Sequence, residues 1–295
     1  MSFSKKIKNG KFIITAEVAP PRGIEWKTVI ESIEPLKGKV DAFNVTDNQR
    51  SMVRMSSLAM SKLLLDSGFE PIFQLTCRDR NRIALQSELL GAAALGIKNV
   101  CLMTGDFTTL GDQPDAKPVF DIDSIHLIQT AKKLESGVLL NGKELKGVPN
   151  FTVGAVYNPF AGPKVLQVWK LRKKIEAGAE FIQTQPVYDV RVAKDVHDLI
   201  ESLGAIPIIG LLPIKSLKMA NFMKKLNPTS IPNRLIEGLE RANNPAQYGW
   251  DYVIDIAHAI AEFGKGIHFM LVGKTAELAA FIDYLRNNSP YNHKF

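Results

Sequence analysis

Short apolar runs alternate along the chain with longer segments whose apolar residues recur at helical spacing. The apolar runs occupy residues 12–18, 42–45, 71–75, 99–103, 151–156, 181–187, 207–214 and 267–272. The helical patterns occupy residues 25–36, 51–67, 82–95, 124–134, 165–177 and 190–203, and several of them stop at a glycine. Strand and helix in regular alternation predict right-handed βαβ units and a parallel sheet.

Eight predicted strands are enough to close a barrel, so we expect an α/β fold of the (β/α)8 TIM-barrel type. A doubly wound open sheet is the alternative, but no Gly-x-Gly-x-x-Gly follows the first strand, and Pro20 and Pro21 remove N–H groups from its turn. We expect one barrel domain over residues 1–295, with extra helix near 228–264 and a closing helix over 278–287.

Most of the apolar runs end in polar residues, which a parallel barrel gathers at one mouth. Glu17 lies inside the first run, one residue before its end, where apolar neighbours raise the pKa of a carboxyl and suit it to general acid catalysis. Thr104, Gly105 and Asp106 follow the fourth run, and the glycine permits close approach of a ligand. Each of these signals allows a second interpretation: Glu17 as a surface-facing or ion-paired core carboxylate, and residues 104–106 as a simple turn.

Two further clusters each allow two interpretations, and two lysines raise a separate possibility. Residues 76–82 place three arginines around an aspartate at a helix start, as an anion site or a set of structural ion pairs. Gln183 and Gln185 lie on one face of the sixth strand, to bind a heterocycle or to form a buried hydrogen-bond pair. Lys215 and Lys274 follow the last two strands, where a lysine could form a Schiff base.

Composition narrows the class of protein further. The net charge of +7 favours small anionic partners such as phosphates and carboxylates, and the basic residues are too scattered to predict nucleic-acid binding. Cys77 and Cys101 have no zinc or disulfide-framework spacing, which predicts free thiols in a reducing compartment. The absence of metal spacing among the histidines leaves His268 as a satisfied core residue. With no signal peptide and no membrane-length run, we expect a cytoplasmic protein.

Seven motifs, taken in order, resemble the methylenetetrahydrofolate reductase family over about residues 10 to 287. They are residues 16–22, 44–46, 74–77, 104–106, 173–179, 183–189 and 210–214. The resemblance implies a TIM barrel, without the regulatory domain of the animal enzymes, that reduces 5,10-methylenetetrahydrofolate to 5-methyltetrahydrofolate in one-carbon metabolism and methionine biosynthesis. It implies FAD, or FMN, as the hydride carrier, with NADH, NADPH or a partner redox subunit as electron donor. The resemblance is also compatible with a homo-oligomer.

The resemblance also implies roles for individual residues. Glu17 would be the general acid, and Asp106 would lie beside flavin and pterin and stabilise developing charge. Gln185 and Lys274 would bind the folate substrate. The residues implied to contact flavin are Thr46, Gln74, Thr104, Gly105, Asp106, Phe120, Asp121, Asn158, Lys173 and Lys174.

Several positions depart from the family pattern around the flavin and substrate contacts. Val18 and Ala19 replace aromatics, Thr104 stands where an arginine is common, and Leu217 stands where an aromatic often stacks on the folate benzoyl group. Gln74 occupies a position that is often histidine. Three alternatives therefore remain: a flavin-free pterin-binding barrel of the methyltransferase type, a Schiff-base lyase, and a non-catalytic subunit of a redox complex.

Overall fold

Eight parallel strands close into one barrel, each pairing with the next along the chain and the last with the first. The computed structural model describes residues 1–226, 231–270 and 273–288. The strands are β1 Ile13–Val18, β2 Ala42–Val45, β3 Pro71–Thr76, β4 Asn99–Met103, β5 Thr152–Tyr157, β6 Phe181–Pro186, β7 Ile206–Leu211 and β8 Gly266–Phe269. The predicted TIM barrel is confirmed, and the open sheet is wrong.

Helices cover the outside of the barrel, except the first, which packs against its lower end. They are α1 Phe3–Lys8, α2 Trp26–Ile33, α3 Ser57–Asp66, α4 Arg82–Ala94, α5 Ser124–Glu135, α6 Lys164–Glu176, α7 Val190–Ser202, α8 Leu217–Leu226, α9 Asn233–Arg241, α10 Pro245–Phe263 and α11 Thr275–Asn288. In the described parts of the chain, no helix is both long and apolar enough to cross a membrane.

The main difference from the predicted elements is the start of α3, which was expected at residue 51. Ser56 caps this helix by accepting a hydrogen bond from the Ala59 N–H, and the segment before it forms an irregular loop. The helices α1 and α8 were not predicted. The extra helix expected over 228–264 is α9 and α10, with residues 228–230 outside the described part. The eighth strand ends at Phe269, and residues 271–272 of its predicted run also lie outside the described part.

The lower half of the barrel interior, toward the amino ends of the strands, is an apolar layer. Phe181 lies at its centre, and Phe3 of α1 packs edge-to-face on that ring with centroids 5.2 Å apart. A Cβ on Gly154 would lie 2.1 Å from the same ring, which explains the glycine on β5. The members of this lower layer are Phe3, Ile7, Ile13, Ala42, Ile72, Cys101, Phe181 and Ile208.

The next layer of the barrel interior, toward the carboxyl ends of the strands, is polar. Thr15, Asn44, Gln183 and His268 are each at most 2% exposed. The first three lie two residues beyond a member of the lower layer on the same strand, so they share its inward face. This upper layer lies directly beneath the mouth of the barrel, where the strands end.

Candidate active site

Glu17 lies at the rim of the upper layer with its side chain 15% exposed. Gln49 donates a hydrogen bond from Nε2 to Glu17 Oε1 at 3.2 Å, and His268 Nε2 lies 4.0 Å from Glu17 Oε2. Burial raises the pKa of Glu17 to about 7, against the opposing effects of Gln49 and the Arg54 charge. The carboxyl can therefore hold and release a proton near neutral pH, as the sequence predicted for a general acid.

A hydrogen-bonded chain begins at His268, whose ring lies beside Glu17, and runs across the barrel interior. His268 Nδ1 lies 3.0 Å from Thr15 Oγ1, and Gln183 Nε2 donates to the same hydroxyl at 3.5 Å. Gln183 and Asn44 then pair through their side-chain amides. Burial lowers the pKa of His268 to about 4, partly offset by a main-chain hydrogen bond at Thr15, so the ring is neutral at physiological pH.

The two glutamines of β6 have different environments. Gln183 is buried and pairs with the Asn44 amide rather than with Gln185, which is exposed at the mouth. The pairing register of β6 with β7 shifts between Gln183 and Pro186. Of the two amides, only that of Gln185 is therefore accessible to a ligand at the mouth.

The loop after β2 contacts both carboxylates that the resemblance implies are catalytic. Gln49 reaches Glu17, and the Arg50 N–H donates to Asp106 Oδ2 at 3.2 Å. Ser51 Oγ lies 2.8 Å from the Phe107 carbonyl oxygen. Arg50 and Ser51 both have left-handed φ values, 57° and 56°, which non-glycine residues rarely adopt unless their surroundings hold them there. The loop thus links the acid to Asp106 through two consecutive residues.

A cleft of about 360 Å³ opens beside the end of β4. Four residues expected to contact flavin line it, namely Thr104, Gly105, Phe120 and Asp121. Gly105 has φ +95°, and a Cβ there would lie 3.1 Å from the side chains of Thr76 and Arg78. The remaining lining residues are Phe107, Ile122, Asp123 and His126.

The other residues implied to contact flavin lie outside the lining of this cleft. Thr46 is buried, and its hydroxyl has no hydrogen-bond partner among the described residues. Lys174 donates from Nζ to the Val156 carbonyl at 2.7 Å, and burial lowers its pKa to about 8. Lys173 instead pairs with Glu176 at 2.6 Å on the outer surface. Gln74 is 9% exposed on β3, and Asn158 accepts a hydrogen bond at Oδ1 from the Phe160 N–H at 3.0 Å.

The arginine cluster at residues 76–82 is a set of ion pairs. The pairs are Arg78 with Asp79 at 2.7 Å, Arg80 with Asp47 at 2.7 Å and Arg82 with Asp121 at 2.8 Å. Hydrogen bonds from Arg82 lower the pKa of Asp121 to about 2. Because each guanidinium already has a carboxylate, the structure favours the structural interpretation over a free anion site.

Lys274 lies in the chain between β8 and α11 and has a left-handed φ of 66°. Its ammonium group donates to Gln247 Oε1 at 2.8 Å and lies 5.4 Å from the centre of the Trp250 ring. These contacts hold the amine at the start of α11, against α10. No group of three or more histidine, cysteine, aspartate or glutamate side chains is arranged to hold a metal within the described ranges.

The fold and site define a (β/α)8 barrel with a buried carboxylic acid at its mouth. The barrel is similar to that of 2,3-dimethylmalate lyase, with a TM-score of 0.54 and 12% identity over 97% of this chain and 85% of that one. It is also similar to tryptophan synthase from Mycobacterium tuberculosis, with a TM-score of 0.51 and 11% identity over 95% of this chain and 96% of that one. Likeness at this identity shows the fold alone.

The chain belongs to the methylenetetrahydrofolate reductase family, whose model matches residues 2–285. A probable methylenetetrahydrofolate reductase (NADPH) of Caenorhabditis elegans is 23% identical over 243 residues, covering 78% of this chain and 34% of that protein. Methylenetetrahydrofolate reductase 2 of Schizosaccharomyces pombe is 22% identical over 281 residues, covering 88% and 43%. The chain therefore spans less than half the length of these two relatives.

The sequence did not predict the polar upper layer that lies beneath Glu17. His268 is a buried, hydrogen-bonded residue, as expected, but its ring also faces the acid. The available signal was the alternation within the strands, because Thr15, Asn44 and Gln183 are polar residues at inward positions of otherwise apolar runs. The contact from Gln49 had no sequence signal, because it depends on the path of an irregular loop.

Proposed function

We propose that this protein reduces 5,10-methylenetetrahydrofolate to 5-methyltetrahydrofolate, with a flavin as hydride carrier and Glu17 as the general acid. The observation that carries the proposal is the Glu17 carboxyl, which lies at the barrel mouth with its pKa raised to about 7. Family membership supplies the substrate class and the reaction.

Glu17 would supply the proton that opens the methylene bridge. Protonation of the leaving nitrogen breaks its bond to the bridge carbon and leaves an iminium, and addition of a hydride to that carbon gives the methyl group. Gln49 and His268 face the Glu17 carboxyl and stabilise it after the proton has left. The proton returns from solvent, to which the carboxyl is partly open.

Asp106 would stabilise the positive charge of the iminium. It is exposed at the mouth, and its carboxylate is held by the Arg50 N–H at 3.2 Å. A carboxylate fixed before the reaction stabilises developing positive charge without reorganisation at the moment of reaction.

The residues present fit a flavin. The Thr46 hydroxyl is buried without a partner among the described residues, and the cleft at Thr104 and Gly105 has the volume of a small-molecule site. The chemistry that a bound flavin supplies is hydride carriage between reduced nicotinamide and folate. We propose FAD, with FMN as the alternative, and NADPH or NADH as donor; the name of the C. elegans relative includes NADPH.

Gln185 and Lys274 are proposed as substrate contacts. The exposed amide of Gln185 offers both a donor and an acceptor to the edge of a pterin ring. The Lys274 ammonium offers a cation for a substrate carboxylate, in exchange for its present partners Gln247 and Glu277.

The absorbance spectrum of the purified protein tests this function. With FAD or FMN bound, the protein should be yellow, lose absorbance when NADH or NADPH is added anaerobically, and recover it with methylenetetrahydrofolate. A protein that takes up neither flavin would overturn the proposal. Folate binding by such a colourless protein would instead favour the flavin-free pterin-binding barrel.

A further inference from the structure

We propose that Asn44 and Gln183 are positioning residues whose amide pair sets the tautomer of His268, so that the ring N–H at Nε2 faces Glu17. The assignment of the tautomer rests on hydrogen bonds in the barrel interior. Only its catalytic consequence rests on the proposed function.

The amide pair determines which groups donate and which accept along the hydrogen-bonded chain. Gln183 Nε2 carries two hydrogens and donates to Asn44 Oδ1 at 3.1 Å and to Thr15 Oγ1 at 3.5 Å. Asn44 Nδ2 donates back to Gln183 Oε1. Both amides are at most 2% exposed, so bulk water does not compete for these groups.

The Thr15 hydroxyl, which accepts from Gln183, donates in turn to the imidazole ring of His268. This hydroxyl has a single hydrogen, and by accepting from Gln183 it keeps that hydrogen for His268 Nδ1, 3.0 Å away. A ring nitrogen that accepts a hydrogen bond carries no proton, so the proton of the neutral ring lies on Nε2. Nε2 is the atom 4.0 Å from Glu17 Oε2.

The competing arrangement reverses the chain. With both amides rotated, Gln183 Oε1 would accept from the Thr15 hydroxyl, and His268 would donate from Nδ1, a direction that a hydrogen bond with the Thr15 main chain supports. That arrangement removes one of the two partners that the buried Gln183 N–H groups have now. Leaving a buried N–H group without a partner is unfavourable, which favours the present direction.

The consequence for Glu17 concerns its ionised form. A ring N–H aimed at the carboxyl stabilises the carboxylate that remains after proton donation, whereas a bare ring nitrogen would repel it. The distance of 4.0 Å is longer than a hydrogen bond, and such contacts tighten when substrate closes the site. In this way the Asn44–Gln183 amide pair acts on the acid through Thr15 and His268.

Nitrogen NMR of protein labelled with ¹⁵N-histidine measures the tautomer directly. The His268 signals, assigned by their loss in His268→Gln, should show a protonated Nε2 and an unprotonated Nδ1 at neutral pH. In Gln183→Met and in Thr15→Val the single tautomer should give way to a mixture. A wild-type ring protonated at Nδ1, or a tautomer unchanged in both variants, would overturn the inference.

Asn99→Leu is the matched control, because Asn99 is an equally buried amide that donates to Glu70 Oε1 at 3.0 Å at the other end of the barrel. It should leave the His268 tautomer unchanged. In Gln183→Met the folate half-reaction should slow by about tenfold or more, since tautomer loss weakens acid–base catalysis. If the protein reduced no folate at all, the proposed function would fail while the NMR result still decided the tautomer.

Discussion

The two layers of the barrel interior are built on the same strands, two residues apart, and have opposite chemistry. The lower layer, around Phe181 and Phe3, is apolar and closed from below by α1. The upper layer, Thr15, Asn44, Gln183 and His268, is polar and lies under Glu17. Under the proposed function, the fold separates stability and chemistry along the barrel axis.

The upper layer is a poor source of stability. A buried hydrogen bond contributes about 1 kcal/mol net, because the unfolded chain bonds equally well to water. Burying a large aromatic ring contributes several times more. The polar layer is therefore best explained by the acid that it supports, and the following predictions test that division.

The largest effect is expected from Glu17→Gln, which removes the proton donor and keeps the shape. Folate reduction should fall by about a hundredfold to ten-thousandfold, because that step needs the proton. Flavin reduction by nicotinamide should change by no more than about twofold. Stopped-flow measurement of the two half-reactions separates them. An equal fall in both would refute the acid role.

In the lower layer, Phe181→Ala should reduce the free energy of unfolding by about 4 kcal/mol, through lost burial and the cavity beside Phe3. Urea denaturation measures this loss. The rate of folate reduction per folded molecule should stay within about threefold of the wild type, because the ring touches none of the proposed catalytic groups. A hundredfold loss of rate in the folded variant would contradict the separation of layers.

The pH dependence of stability should reveal two opposed titrations in the upper layer. Glu17 has its pKa raised from 4.5 to about 7, so the folded state binds extra protons in that window and loses stability as pH rises. His268 has its pKa lowered from 6.5 to about 4, so the folded state gains stability as pH rises through that window. In the wild type the two contributions should nearly cancel between about pH 4.5 and 6.5.

Replacing one of the two groups should reveal the pH dependence of stability that the other contributes. In Glu17→Gln the free energy of unfolding should rise with pH across this window, by up to about 3 kcal/mol, and in His268→Gln it should fall by a similar amount. Urea unfolding at a series of pH values gives both curves, and other titrating groups cancel in their difference. Parallel curves for the two variants would show that these groups keep ordinary pKa values.

The smallest effect concerns the Thr46 hydroxyl, which has no partner among the described residues. Thr46→Val should leave stability nearly unchanged and weaken flavin binding by about fivefold, the value of one hydrogen bond. Ser61→Ala is the control, since Ser61 Oγ is also buried without a described partner but lies on α3. Equal flavin affinities in wild type and Thr46→Val, by fluorescence titration, would remove Thr46 from the cofactor site.

The sequence predicted the barrel well because alternation of apolar runs and helical periods is a local signal. Strands such as β2 and β4 have the predicted bounds, and the Glu17 side chain is mostly buried, as its apolar neighbours indicated. Thr104 and Phe120, which we propose contact flavin, line one cleft although 15 intervening residues separate them.

The rest of the site depends on contacts that local patterns do not encode. Gln49 reaches Glu17 only because the loop after β2 takes left-handed backbone angles at Asn48 and Arg50. Asn44 and Gln183 meet only because the barrel closes, since 139 positions separate them in the chain. The helical spacing of apolar residues over 51–67 did not indicate that Ser56 caps the helix, which therefore begins only at Ser57.

The most direct test of the central claim is the pH profile of the folate half-reaction. Prereduced enzyme is mixed with methylenetetrahydrofolate in the stopped-flow instrument from about pH 5 to pH 9, and Glu17→Gln is run beside it. With the pKa of Glu17 at about 7, the wild-type rate should be constant at low pH and fall about tenfold per pH unit above 7, and the variant should show no such fall. A wild-type rate that stays constant or rises across pH 7 would contradict the account.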